Sequence, residues 1–227
     1  FRRKNGGIVK ASKQAIRSAK GEYFLFMDHD DLLYQDCLEE IVKTLQQESA
    51  PEIIYADSDY IESIDETVSQ FYKPDFSYFY LLSHNYINHP CCFSRSLYKK
   101  SKGLKKGYDG CQDFELVLRS TEYTKKIYHI EKILYSWRKT PNNVSSQLLL
   151  NNTTIDKAIT SIEKHLKRKG SKCFVYQPEF AKEFRIPVFQ LELENSKNAV
   201  SIIIAGDGPL EATIRCVDSI IQKTKYR

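Results

Sequence analysis

The sequence predicts an α/β domain built on a mixed, mainly parallel sheet with helices on both faces. Two short apolar runs, Phe24 to Met27 and Ile53 to Ala56, end in carboxylates. Buried strands of open sheets present ligand-binding groups in this way, in the crevice beyond their C-terminal ends. Stretches of helical periodicity alternate with these runs in the rhythm of strand and helix units. With 227 residues, 41% of them hydrophobic, the chain can bury a core of that size.

Asn5-Gly6-Gly7 suits a tight turn in which backbone approaches a ligand. Residues 8–19 place Ile8, Val9, Ser12, Ala15, Ile16 and Ala19 on one helical face, and Gly21 can end that helix before a strand. The strand lies in Tyr23–Leu33 and delivers Asp28, Asp30 and Asp31. Two unit charges about 4 Å apart repel by roughly 4 kcal/mol at an effective dielectric near 20. A compensating neighbour is therefore expected, and a divalent cation is the natural one. Behind Asp36, Leu38, Ile41, Val42 and Leu45 follow helical spacing. Pro51 separates them from the Ile53–Ala56 strand and its acids, Asp57 and Asp59.

Residues 71–89, FYKPDFSYFYLLSHNYINH, are dense in Tyr and Phe. They suit the floor of a saccharide or nucleotide site, or an aromatic core under a long loop, with Lys73 and His89 as the polar groups of interest. Residues 103–119 pass from a Gly-rich turn into a helix with Phe114, Val117 and Leu118 inside. Asp113 at its start is either an N-terminal cap worth about 1 kcal/mol or a base pointed into a cleft. Two β-like runs follow, 126–130 and 133–138. The second ends in Trp137 and Arg138, and an arginine at a strand end is a natural diphosphate partner. Residues 152–169 form an amphipathic helix through Ile155, Ala158, Ile159, Ile162 and Leu166, and Cys173 to Tyr176 a strand. Residues 178–198, with Pro178, Pro187 and a polar run, read as a linker. Beyond it come a buried strand, Val200 to Ile204, and a helix face of Leu210, Ile214, Val217 and Ile221.

The net charge of +5, from 34 basic and 29 acidic residues, is too balanced to imply a nucleic-acid partner. Lysine clusters at 99–106 and 164–169 are solvated surface or contacts for phosphates and anionic lipid. Six cysteines without a CxxC pair fit a reduced, cytoplasmic setting, and no apolar run approaches the roughly 20 residues that span a bilayer. The sequence opens mid-pattern, so an excerpt of a longer protein is expected.

Taken in order, several motifs resemble family 2 glycosyltransferases, inverting enzymes of the GT-A (Rossmann-like) fold. They are Asn5-Gly6-Gly7, Ala19-Lys20-Gly21-Glu22-Tyr23, Asp28-His29-Asp30-Asp31, Tyr55-Ala56-Asp57, Lys73-Pro74-Asp75, Asn85-Tyr86-Ile87, Gln112-Asp113-Phe114-Glu115-Leu116 and Leu134-Tyr135-Ser136-Trp137-Arg138. The resemblance covers roughly residues 1–170 and is greatest to the bacterial surface-polysaccharide branch. It implies transfer from a sugar nucleotide to a hydroxyl of a glycan or lipid-linked acceptor in cell-envelope polysaccharide biosynthesis. Asp28 and Asp30 would form the DxD pair that holds Mn2+ or Mg2+ and the donor diphosphate, oxygen ligands being what such cations prefer. Asp113 would be the catalytic base, Trp137 and Arg138 would lie near diphosphate and sugar, and Asn5 would belong to the donor site. Peripheral contact with the inner face of the cell membrane goes with lipid-linked acceptors.

The resemblance also divides the chain. Residues 1–177 would be the C-terminal part of a first domain whose N-terminal strands are missing, 178–198 the linker, and 199–227 the first strand and helix of a second. The excerpt alone is then expected to be inactive. Lys13 stands where the family usually has Asn, and Ser136 where a His commonly precedes the Trp-Arg pair. These departures keep open a non-catalytic scaffold or carbohydrate-binding remnant. A haloacid-dehalogenase-like phosphatase also ends a strand in DxD, but Asp31 stands where that family wants Thr or Val.

Overall fold

The structure, a computed structural model, describes residues 6–47, 49–63, 66–138, 152–193, 200–206 and 208–224. It divides into two compact units, residues 1–192 and 193–227.

In the first unit the elements run α1 (Ile8–Ser18), β1 (Tyr23–Phe26), β2 (Leu32–Leu33), α2 (Cys37–Leu45), β3 (Ile53–Ser63), β4 (Glu66–Phe71), α3 (Tyr78–Ser83) and β5 (Cys91–Ser94). They continue as α4 (Arg95–Lys100), α5 (Gln112–Ser120), β6 (Ile127–Arg138), α6 (Asn152–Arg168), β7 (Cys173–Tyr176), α7 (Glu179–Glu183) and β8 (Gln190–Leu193). The main sheet has the order β1-β5-β3-β6-β2, with β4 also on β3.

The sheet is mixed, as expected, but not mainly parallel. Among the described strand pairs of this sheet only β3 with β6 is parallel. β5 enters between β1 and β3 running against both, and β2 turns back against β6. Hydrophobic periodicity identifies which residues a strand buries, not its direction or its neighbour.

β3 organises the core because both of its faces are covered, which is why IIYA reads as a continuous apolar run. Ile53 and Tyr55 pack on one side with residues of α1, α3, α4, α5 and α6. Ile54 and Ala56 pack on the other with Cys37 and Ile41 of α2 and with Leu134. The acids after Ala56 do not end this strand. Asp57 and Asp59 lie inside the sheet, Asp57 against His129 Nε2 at 2.8 Å and Asp59 accepting from the Tyr34 hydroxyl at 2.6 Å. α5 is held by a buried ion pair, Arg119 Nε donating to Glu115 Oε1 at 2.7 Å while an Arg119 Nη donates to the Gly103 carbonyl at 2.8 Å.

Residues 178–192, expected as linker, belong to this unit. Ala181 and Phe189 are buried, the Phe189 N–H donates to the Ser83 carbonyl at 2.8 Å, and β8 pairs with β7. Two prolines and polar neighbours suggested a linker, but a few well-placed apolar residues sufficed to dock the segment. The polar run 194–199 lies outside the described residues.

In the second unit α8 (Leu210–Lys223) forms as expected. Residues 200–204 form no strand among the described residues, and Ile203 is 90% exposed. An apolar run becomes a strand only where a neighbour supplies ladder partners. Among the described residues no helix is long and apolar enough to cross a membrane.

Arg119→Ala leaves the buried Glu115 carboxylate only the partly exposed Lys105, 3.5 Å away, and is expected to cost about 3 kcal/mol in chemical denaturation, the lower end for a broken buried pair. The double substitution Glu115→Gln with Arg119→Met should cost less than that single one.

Candidate active site

The acidic turn after β1 is pinned from β6. The Tyr135 ring is fully buried, and its hydroxyl accepts from the Asp28 N–H at 3.0 Å and donates to Asp31 Oδ2 at 2.6 Å. The Arg138 N–H donates to the other Asp31 oxygen at 2.9 Å. Burial, then the Asp31 carboxylate, pushes the Tyr135 phenol far above its ordinary pKa, so it stays protonated and able to donate. Asp31 is therefore consumed inside the fold, 8% exposed. Asp28 and Asp30 remain available, both about one-third exposed, with Asp30 3.6 Å from His29.

Asp28 lines a cleft of about 200 Å³ together with Asp113, His89, Asn88, Met27 and Gln112. Burial raises the Asp28 pKa, the charge of His89 lowers it, and Asp31, Asp113 and Asp30 raise it. The turn after β1 and the start of α5 thus bring two carboxylates to one space. Asp113 makes no capping hydrogen bond at the helix start, where the cap residue is Cys111. Its Oδ2 accepts from Asn85 Nδ2 at 3.0 Å, which orients it across the cleft.

Asn85 and His89 belong to one segment, residues 84–90, and Lys73 staples it. Lys73 Nζ donates to the Ile87 and His89 carbonyls, each at 2.8 Å, and its N–H donates to Asp57 Oδ1 at 2.8 Å. His89 is 8% exposed, its ring 5.7 Å from those of Tyr135 and Trp137 and its Nε2 3.8 Å from Asp28 Oδ2. Its Nδ1 is buried without a hydrogen-bond partner among the described residues. Burial pushes the Lys73 ammonium down to about 7.

Asp28, Asp113 and His89, all singled out in the sequence, therefore share one cleft, whereas Asp30, two residues on, is not among the residues that line it. Trp137 packs on His89, Tyr60 and Tyr135 and does not line the cleft, and Arg138 follows it at the end of β6. Asn5 lies outside the described residues. Ser136 is buried and sits opposite Leu32 in the β2–β6 ladder. The roles of Asn85 and Tyr135 were not legible in advance. The one hint was that a tyrosine in an apolar strand needs a partner for its hydroxyl.

No three His, Cys, Asp or Glu converge as a ready ligand set among the described residues. A hard dication held by Asp28 and Asp30 would complete its shell from phosphate oxygens and water, which is how Mg2+ is commonly bound. The two carboxylates fit that mode.

Residues 1–102 match the family described as Glycosyl transferase family 2. The chain is 32% identical over its whole length to an uncharacterised protein, y4gI, of Sinorhizobium fredii (strain NBRC 101917 / NGR234), and covers 25% of it. It is 26% identical over 97% of its length to the O-antigen biosynthesis protein RfbC of Myxococcus xanthus, covering 17% of that protein. The chain thus spans a quarter or less of the length of these relatives. The crystal structure of residues 1–349 of S. aureus TarS in complex with UDP-GlcNAc shares the fold, with a TM-score of 0.51 at 14% identity over 71% of this chain and 54% of that one.

The low Lys73 pKa has a signed consequence. From about 7, its folded value, up to its ordinary 10.5, the unfolded chain binds more protons, so this group makes stability rise with pH. Urea denaturation at pH 7 and pH 9 should show the wild type gaining stability relative to Lys73→Met at the higher pH.

Proposed function

From the match of residues 1–102 to the family described as Glycosyl transferase family 2, we propose that the chain carries the catalytic cleft of an inverting, metal-dependent enzyme of polysaccharide biosynthesis. The observation that carries this reading is the pair Asp28 and Asp113, set by two different elements on one cleft. Asp113, oriented by Asn85, accepts the proton of an acceptor hydroxyl while that oxygen bonds to the anomeric carbon. The bond from that carbon to the nucleoside diphosphate breaks on the opposite face, inverting the centre. A carboxylate is a weak base at neutral pH, which suffices when bond breaking runs ahead of attack. Asp28 and Asp30 hold the donor diphosphate side. A divalent cation bound there, Mn2+ or Mg2+, would neutralise the developing charge on the leaving group. Trp137 and Arg138 lie at the end of β6 beside this turn and are assigned to the sugar and diphosphate, and Asn5 to the donor.

The donor class is a sugar nucleotide, with a uridine diphosphate sugar the first to try. The acceptor class is a growing glycan, free or lipid-linked, of the cell surface. Released nucleoside diphosphate, measured on the full-length protein with Mn2+, tests this reading. Asp113→Asn should lower kcat by roughly 10²–10⁴-fold with little change in donor KM. Equal turnover by wild type and Asp113→Asn would remove the base and favour a non-catalytic scaffold. Chelation with EDTA, or Asp30→Asn, should abolish release, and added Mn2+ should restore it only in the chelated wild type.

A further inference from the structure

Two segments of the first unit contain no acid at all. Residues 6–21 carry Lys10, Lys13, Arg17 and Lys20, and residues 94–108 carry Arg95, Lys99, Lys100, Lys102, Lys105 and Lys106. These ten cations are twice the net charge of +5, so the remainder of the chain is net acidic. The segments fold as α1 and α4 with their following turns, and they meet in a depression lined by Lys13, Arg17, Tyr98, Lys99 and Lys102.

Some exposed bases elsewhere are neutralised. Lys43, Lys132, Arg168 and Lys182 each pair with a glutamate. In contrast Lys10, Lys13, Arg17, Lys20, Lys99, Lys100 and Lys102 make no ion pair among the described residues. Their mutual repulsion is uncompensated, so an anionic partner gains from every one of them at once.

The composition of the face selects the kind of partner. Arginine forks suit carboxylates or phosphates held in one geometry, whereas lysines act as mobile point charges. Arg95 is already committed to the Gly21 and Ala19 carbonyls, which leaves Arg17 among lysines. An acidic sugar chain calls for an aromatic platform, but Tyr98 is engaged with Phe24, and its hydroxyl accepts from the Leu104 N–H. Charge is recognised here without shape. We infer that the α1–α4 face docks on a bilayer surface of anionic phospholipid headgroups. α1 also supplies Ile8 and Ser12 to the cleft, so docking by its basic side would hold the cleft at the lipid–water boundary. The inference does not depend on catalysis.

Vesicle co-sedimentation tests it, with phosphatidylcholine vesicles against vesicles containing about one-third phosphatidylglycerol. Binding should require the anionic lipid and disappear near 0.5 M salt, where screening shortens to a few ångströms. Lys13→Glu with Lys102→Glu should weaken partitioning about tenfold or more. Lys167→Glu with Lys182→Glu, the same change of net charge on α6 and α7, should weaken it far less. Circular dichroism would confirm that both variants fold. Two results would each overturn the docking face: no preference for anionic vesicles, or equal loss in the two double variants.

Discussion

One buried hydroxyl sets the geometry of the candidate site. Tyr135 reaches from β6 to the turn after β1, taking the Asp28 N–H and giving its own proton to Asp31. Three acids in four residues would otherwise repel across a short turn. The fold separates them by satisfying one inside, with two donors, and leaving two beside the cleft. Charge-assisted hydrogen bonds of this kind are roughly twice as strong as neutral ones. Burial also keeps the phenol protonated, so the pin does not weaken as the pH rises through the ordinary tyrosine range.

The opposite wall depends on a second buried polar group. Among the described residues no carboxylate pairs with the Lys73 ammonium, which instead holds the Ile87 and His89 carbonyls. That contact fixes the segment from which Asn85 meets Asp113 and His89 approaches Asp28. A desolvated amine in such a place is costly, and the cost is tolerated because backbone carbonyls would otherwise be left unpaired. The buried Glu115–Arg119 pair plays the equivalent part for α5, tying the helix that carries Asp113 to the Gly103 turn.

Much of this was legible from residue order. The helices at 8–18, 37–45, 112–120 and 152–168 follow from apolar spacing, because a helix buries one stripe whatever it packs against. The acidic turn stood out for the same kind of reason, since an apolar run ending in carboxylates is costly unless it serves a ligand. Residues 178–192 of the linker expected at 178–198 dock on the first unit, and among the described residues no strand forms at 200–204, for a related cause. Both depend on whether a partner surface is present: Phe189 and Ala181 found one, and Val200 to Ile204 found no ladder.

The sequence by itself determined where the main helices form and which acids would be concentrated, because both follow from local pattern. Tertiary structure alone decided which acids remain free. Asp28, Asp30 and Asp31 are chemically alike and adjacent, and two donors about a hundred residues away, the Tyr135 hydroxyl and the Arg138 N–H, single out Asp31. The same holds for Asp113, where cap and cleft residue were equally compatible with its spacing until Asn85 arrived from another loop. Strand direction, hydrogen-bond partner and cleft membership are properties of pairs distant in sequence, and no local pattern encodes them.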